Sequence, residues 1–254
     1  MLTVAYDGTN YCGWQIQDNG IAVEEVINKE LDKLLGEEIH VIGASRTDSG
    51  VHALGNVCVF DTDTRIPPEK LSFALNAGLP EDIRIVKSEE VEADFHPRHC
   101  SSIKTYEYHI WNYKFMNPVL NRFCKFVYYD LDIEAMRNAS KVLIGKHDFK
   151  SFCSAHSQAQ TTIREIISID INEVSSEKLE MANMPGGRLI TIRVRGYGFL
   201  YNMVRIIVGT LLKVGMHMMK PDDMETVLEA KDRGAAGPKA DAAGLTMVGI
   251  KFLE

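Results

Sequence analysis

The chain has 254 residues, of which 45% are hydrophobic, and a formal net charge of −7 at pH 7. That length supports one large domain or two modest ones, and no apolar run approaches the roughly 20 residues that a membrane-spanning helix needs. The five cysteines (Cys12, Cys58, Cys100, Cys124 and Cys153) are scattered without a C-x-x-C pair, so nothing points to a zinc site or a disulfide framework, and reduced thiols in a cytoplasmic protein are expected.

Met1 opens directly into a strand pattern, Leu2 to Tyr6, with no basic-then-apolar leader, so no secretion signal is expected. Asp7 to Asn10 is a turn, and Tyr11-Cys12-Gly13-Trp14-Gln15 continues it as a loop rich in aromatics. Ile21 to Leu35 has helical periodicity, with Val23, Val26, Ile27, Leu31, Leu34 and Leu35 on one face, and Gly36 ends it. Ile39 to Ile42 reads as a buried strand and Asn56 to Phe60 as another. Pro67-Pro68 starts a short second helix ending near Gly78, and Ile83 to Val91 is a further strand. This β-α-β-β-α-β order is that of a ferredoxin-like unit, assigned to a first half spanning residues 1–98.

The second half, residues 99–254, also mixes strands and helices. Lys104 to Trp111 alternates with period two, Tyr106, Tyr108 and Ile110 facing one way. Phe123 to Tyr129 is a strand and Ile133 to Leu143 a helix closed by Gly145. Ser154 to Thr162 is polar and is expected to be a mobile loop. Ile163 to Val174 and Leu189 to Val194 read as strands around the Pro185-Gly186-Gly187 turn. Phe199 to Val214 carries a wide apolar helical stripe. Pro221 starts a last helix, and residues 234–244 lead as a loop into a final strand, Leu245 to Phe252.

Net acidity alone argues against a nucleic-acid partner. The distribution qualifies this. Met181 to His217 contains no acidic residue but holds Arg188, Arg193, Arg195, Arg205 and Lys213. Phe95 to Tyr106 is likewise free of acids and holds His96, Arg98, His99 and Lys104. A basic face on an otherwise acidic molecule and a set of unrelated solvated faces both fit these facts.

Between the strands at Ile39 and Asn56 lies Gly43-Ala44-Ser45-Arg46-Thr47-Asp48-Ser49-Gly50-Val51-His52. Its simplest reading is a turn whose Asp48 caps its own backbone. An arginine and a carboxylate two residues apart can also grip an anion and do chemistry. Arg205 sharpens the choice. It is the only charged residue between Phe199 and Leu212, so it is at least partly desolvated and needs an anionic partner, unless its head snorkels to water. Asp48 is a candidate for that partner, and a buried arginine would hold it ionised. Tyr106, on an alternating strand in a basic stretch, is either core or a platform on which a nucleobase stacks.

Several longer motifs then fall in order. Arg46-Thr47-Asp48-Ser49-Gly50-Val51-His52-Ala53-Leu54-Gly55-Asn56 resembles the signature of the tRNA pseudouridine synthases of the A type. Ala5 to Gln15 resembles that family's opening, Asp94 to Arg98 and Lys104 to Tyr108 its middle, Phe199 to Gly209 its late helix, and Ala243-Gly244-Leu245 its end. The resemblance implies an α+β fold of two ferredoxin-like halves whose antiparallel sheets join across a central catalytic cleft. It implies conversion of uridine to pseudouridine at positions 38, 39 or 40 of the tRNA anticodon stem-loop. Asp48 then matches the catalytic aspartate, Arg46 the arginine implicated in base flipping, and Tyr106 the tyrosine that stacks on the target base. Arg205 matches the basic residue paired with the aspartate, and Leu245 is expected to line the base's other face. The family resemblance further implies a cytoplasmic homodimer that grips tRNA across both subunits and needs no metal or cofactor. Glu107 departs from the pattern, since the position is often basic, and it weakens the local positive charge.

Three other readings follow from the residues alone, of which a purely structural α/β protein leaves the acid-free stretches unexplained. A non-catalytic RNA binder would stack bases on Tyr106, Tyr108 and Trp14 but has no need of a carboxylate facing a polyanion. A nucleoside-cleaving hydrolase would use Asp48 near C1′ and release a free base.

Overall fold

The computed structural model describes residues 1–155, 159–179, 181 and 183–253. In chain order the elements are β1 (Leu2–Tyr6), α1 (Val23–Leu35), β2 (Ile42–Gly43), β3 (His52–Val59), α2 (Leu71–Asn76), β4 (Ile83–Ser88), β5 (Ser102–Asn112) and β6 (Lys125–Val127). They continue with α3 (Ile133–Ser140), β7 (Gly145–Asp148), β8 (Ile163–Ser175), β9 (Arg188–Gly196), α4 (Met203–Gly215), α5 (Asp223–Ala230) and β10 (Leu245–Phe252). The fold is α+β. Two compact units form, one from Met1–Ser102 with the tail from Thr246, the other from Ile103–Leu245.

In the first unit β1 pairs antiparallel with both β3 and β4, and β2 pairs antiparallel with the far end of β3. The order β4-β1-β3-β2 is the ferredoxin-like one. Helix α1 buries Val23, Ile27 and Leu31 and ends at Gly36, whose φ of 74° is left-handed backbone. The expected strand from Ile39 shrinks to Ile42–Gly43 for a local reason. The backbone N–H of Ile39 donates to Asp32 Oδ1 at 2.7 Å and that of Val41 to Asn28 Oδ1 at 3.1 Å. Side chains of α1 thus take donors that a ladder would have used. Conversely, β3 begins four residues earlier than its apolar run suggests. Its start is paired on both sides, Ala53 with Tyr6 of β1, and His52 and Ala53 with Thr246 and Met247 of β10. A partner strand so distant in sequence leaves no local signal.

In the second unit β9 lies between β5 and β8, antiparallel to both, and β7 pairs with the outer edge of β8. Helix α3 separates β5 from β7 and β8, and α4 follows β9, repeating part of the same plan. The β8–β9 hairpin turns where expected; Ser176 N–H donates to Gly187 O at 2.7 Å. Strand β7 has only four residues, of mixed burial, and was not anticipated. Every residue of α4 except Lys213 is buried. Its first turn starts at Met203 rather than Phe199, because Asn202 adopts left-handed backbone with φ of 60° and Tyr201 O accepts the N–H of Ser154 at 3.2 Å. His156, Ser157 and Gln158, within the segment expected to be a mobile loop, lie outside the described residues. No helix among the described residues is long and apolar enough to cross a membrane.

Candidate active site

The Arg46–Asp48 loop is built from below. Residues 45–48 alternate, Ser45 and Thr47 buried, Arg46 exposed and Asp48 between the two extremes. Alternation is the rule for extended backbone, and Asp48 forms an antiparallel bridge with Gly13. The bridge is reinforced by Trp14 N–H donating to Thr47 O at 3.1 Å. Beneath, the Thr47 hydroxyl shares a 2.8 Å hydrogen bond with the Tyr6 hydroxyl. Asn56, fully buried on β3, donates through Nδ2 to Ser45 O at 3.1 Å and to the Tyr6 hydroxyl at 3.3 Å. This satisfied buried network pins the loop from β1 and β3. Gly13 has a φ of 110°, and a Cβ there would stand 2.4 Å from Thr47 O, so only glycine permits so close an approach. Past the carboxylate, a turn closes with Val51 N–H donating to Asp48 O at 3.1 Å, and Gly50 N–H reaches Tyr11 O. His52 Nδ1 lies 3.1 Å from Asp7 Oδ1 and accepts the N–H of Gly8.

The second unit carries the other three candidates. Tyr106 is buried on β5, and its ring meets that of Phe199 edge-on at 5.2 Å. Arg205 is only 8% exposed, which removes the snorkelling alternative. Its Nε donates to Ala240 O at 2.8 Å and one Nη to Asn202 Oδ1 at 3.1 Å, so the plane of the guanidinium is fixed. The segment that supplies Ala240 is pressed onto α4 at Gly209, where a Cβ would lie 1.7 Å from Pro238 O. Tyr108, two residues beyond Tyr106, donates to Asp241 O at 2.9 Å. Its phenol pKa is raised by burial first and by the nearby Asp241 next, while the Arg205 charge opposes them. Gly244 packs against the Tyr108 ring, and Leu245, which follows it, is buried.

Arg46 and Asp48 thus share one loop of the first unit, whereas Tyr106, Arg205 and Leu245 belong to the second. Phe199 and Asn202 support Tyr106 and Arg205 directly, and neither stood out as a candidate; Asn202, just before an apolar helical run, is a residue type favoured at helix starts. The basic run 181–217 is less available than its composition suggests. Arg193 pairs with Glu107, its Nε 2.6 Å from Oε1, and Arg188 bonds Glu173 at 3.0 Å and also Asp130.

Comparison with known proteins accounts for nearly the whole chain. A family model described as tRNA pseudouridine synthase matches residues 2–99 and 139–252. Proteins called tRNA pseudouridine synthase A from Thermoanaerobacter sp. (strain X514) and from Clostridium acetobutylicum are 46% and 44% identical over 252 residues, covering 99% of this chain and 98% of theirs. That of Acetivibrio thermocellus is 42% identical over 251 residues at the same coverage. A solved structure described as "Structure of H/ACA RNP bound to a substrate RNA containing 2'-deoxyuridine" aligns over 99% of this chain and 47% of its own, at 11% identity and a TM-score of 0.38, too distant to bear on fold or function. The chain belongs to the tRNA pseudouridine synthase family, isomerases that act on uridine in tRNA.

Proposed function

We propose that this chain converts uridine to pseudouridine at one or more of positions 38, 39 and 40 in the tRNA anticodon stem-loop, with Asp48 at the reacting centre. The observation that carries the reading is the Arg46–Asp48 loop, pinned by Tyr6, Thr47 and Asn56. The match to the A-type motifs supports the choice of positions.

The isomerisation is balanced within the nucleotide. The N1–C1′ bond breaks, the uracil turns, C5 bonds to C1′, C5 loses its proton and N1 gains one. No electron leaves or enters, so the chemistry calls for acid–base and electrostatic help. A stacked nucleotide hides these atoms and must first be flipped out. Arg46, exposed on its loop, fills the vacated space and contacts phosphate. Tyr106 stacks on the extruded uracil, its own ring braced by Phe199. Leu245 lines the base's other face. Asp48 acts as an anion; attack on C1′, attack on C6 and removal of the 2′ proton all require it ionised. Arg205, its plane set by Ala240 and Asn202, supplies the counter-charge that keeps it so. The C5 proton must also leave, and the Tyr106 phenol is placed in the role of its relay. The enzyme works as a cytoplasmic homodimer that holds one tRNA across both subunits.

Incubating the purified protein with unmodified tRNA and analysing the digested nucleosides tests the reading. Pseudouridine without free uracil is the expected product. Free uracil would instead establish the hydrolase, and tight binding with neither product would establish a pure RNA binder.

A further inference from the structure

Two cations, on the strands either side of β9, lie on the sheet face that carries Tyr106. Lys104 of β5 pairs with Gly196 of β9, and Gly196 pairs with Ile166 of β8. Cross-strand partners share a face, as do residues two apart. Lys104, Tyr106 and Arg164, which is two residues before Ile166, therefore present to one side. Gly196, between them, has no side chain of its own. A Cβ there would lie 2.7 Å from Glu165 O and 3.2 Å from Phe199 Cζ, so the Phe199 ring occupies that space and reaches the Tyr106 ring from it. Arg164 is held in place. Its Nη1 donates to Thr161 O at 2.9 Å and to Ile163 O at 2.6 Å, and its Cδ and Nε flank Gly198.

Both side chains are half-buried. Burial, and then the charge of Arg164, pull the Lys104 amine down to about 8, and burial also lowers Arg164. Keeping two like charges together in a partly dry setting costs stability. No bond made or broken in the isomerisation uses either group. A fixed guanidinium and a compact ammonium on one face make a donor set that a phosphate selects. We propose that Lys104 and Arg164 together bind one phosphodiester of the tRNA next to the nucleotide whose base stacks on Tyr106. This rests on the pseudouridine synthase reading. It adds a residue pair that grips the backbone of the extruded nucleotide and leaves its base to Tyr106.

The test measures affinity for an anticodon stem-loop RNA against salt concentration, with steady-state kinetics on the same RNA, for wild type, Lys104→Met, Arg164→Met, the double variant and Lys104→Arg. One lost phosphate contact lowers the log–log salt slope by about 0.7–0.9. The double variant should show that single loss and at least a tenfold higher KM, with kcat near wild type at saturating RNA. The two single variants should each lose most of this, so their effects fall short of adding. Lys104→Arg should restore slope and KM. A double variant with wild-type slope and KM overturns the phosphate site, as does a slope lost equally in Lys104→Arg. Circular dichroism melts confirm that each variant is folded. Failure of the wild type to form pseudouridine in the same RNA refutes the underlying reading instead, so the two failures are distinct.

Discussion

An aspartate in a surface proposed to receive a polyanion raises the cost of binding unless it does chemistry, and the loop that carries Asp48 is held by backbone and neutral side-chain contacts from β1, β3 and Gly13. In the proposed mechanism Tyr106 is the flat partner on which the substrate's base stacks. Base–aromatic stacking contributes about 1–3 kcal/mol per base, so Tyr106→Leu should lower kcat/KM by roughly one to two orders of magnitude. Tyr106→Phe keeps the ring and loses the phenol. Comparing the two in a multiple-turnover assay separates stacking from proton transfer; equal losses would show that the ring itself contributes nothing. Lys104 makes a pH-dependent prediction. Its amine is lowered from 10.5 to about 8 by burial and by Arg164. Between those values the unfolded chain binds more protons than the folded one, so this residue lets stability rise with pH through that window and penalises the fold most below about 8. Lys104→Met should therefore be more stable than wild type at pH 7, by up to about 3 kcal/mol. The advantage should shrink as pH rises from 8 toward 10.5. Urea titrations at several pH values check it; a gap independent of pH contradicts the assignment.

At the level of elements, tight backbone contacts hold the candidate site residues. Gly209 lets the 238–240 segment lie on α4, and Ala240 in turn fixes Arg205. Gly209→Ala should cost about 1–3 kcal/mol by overpacking and should also lower activity, because the carbonyl bound by Arg205 must move. Thermal melts and single-turnover rates report both; unchanged values for both would show that the contact relaxes freely. Much of this architecture was legible in the sequence. The helical stripe of α1, the alternation of β5 and the β8–β9 turn reflect local periodicity and turn chemistry, which sequence carries directly. The isolated charge on an apolar helix marked Arg205 as at least partly desolvated, and it is only 8% exposed. What escaped depended on distant partners. The early start of β3 needs β10, and the short β2 results from Asp32 and Asn28 side chains capturing backbone donors. The four-residue β7 lacked an alternating pattern, and Phe199 and Asn202 gained meaning only once the turn before α4 was seen to brace Tyr106 and Arg205.

For the molecule as a whole, a net charge of −7 must be reconciled with a tRNA substrate. Two arginines of β9 are already paired within the second unit, Arg193 with Glu107 and Arg188 with Glu173. On the proposed reading, local clusters and the joint grip of two subunits supply the affinity, so binding should weaken steeply with salt. Sedimentation equilibrium should give twice the chain mass, and a monomer fully active at the same concentration would contradict the two-subunit grip. The central claim concerns one carboxylate and one place in the RNA. Position-resolved mapping of pseudouridine in an unmodified tRNA carrying uridines at 38, 39 and 40, after incubation with wild type or with Asp48→Asn, tests it most directly. The wild type should place pseudouridine within those positions and nowhere else. Asp48→Asn, still folded and still binding the tRNA, should form at least about a thousandfold less. Modification elsewhere in the tRNA, or wild-type turnover by Asp48→Asn, would contradict the account.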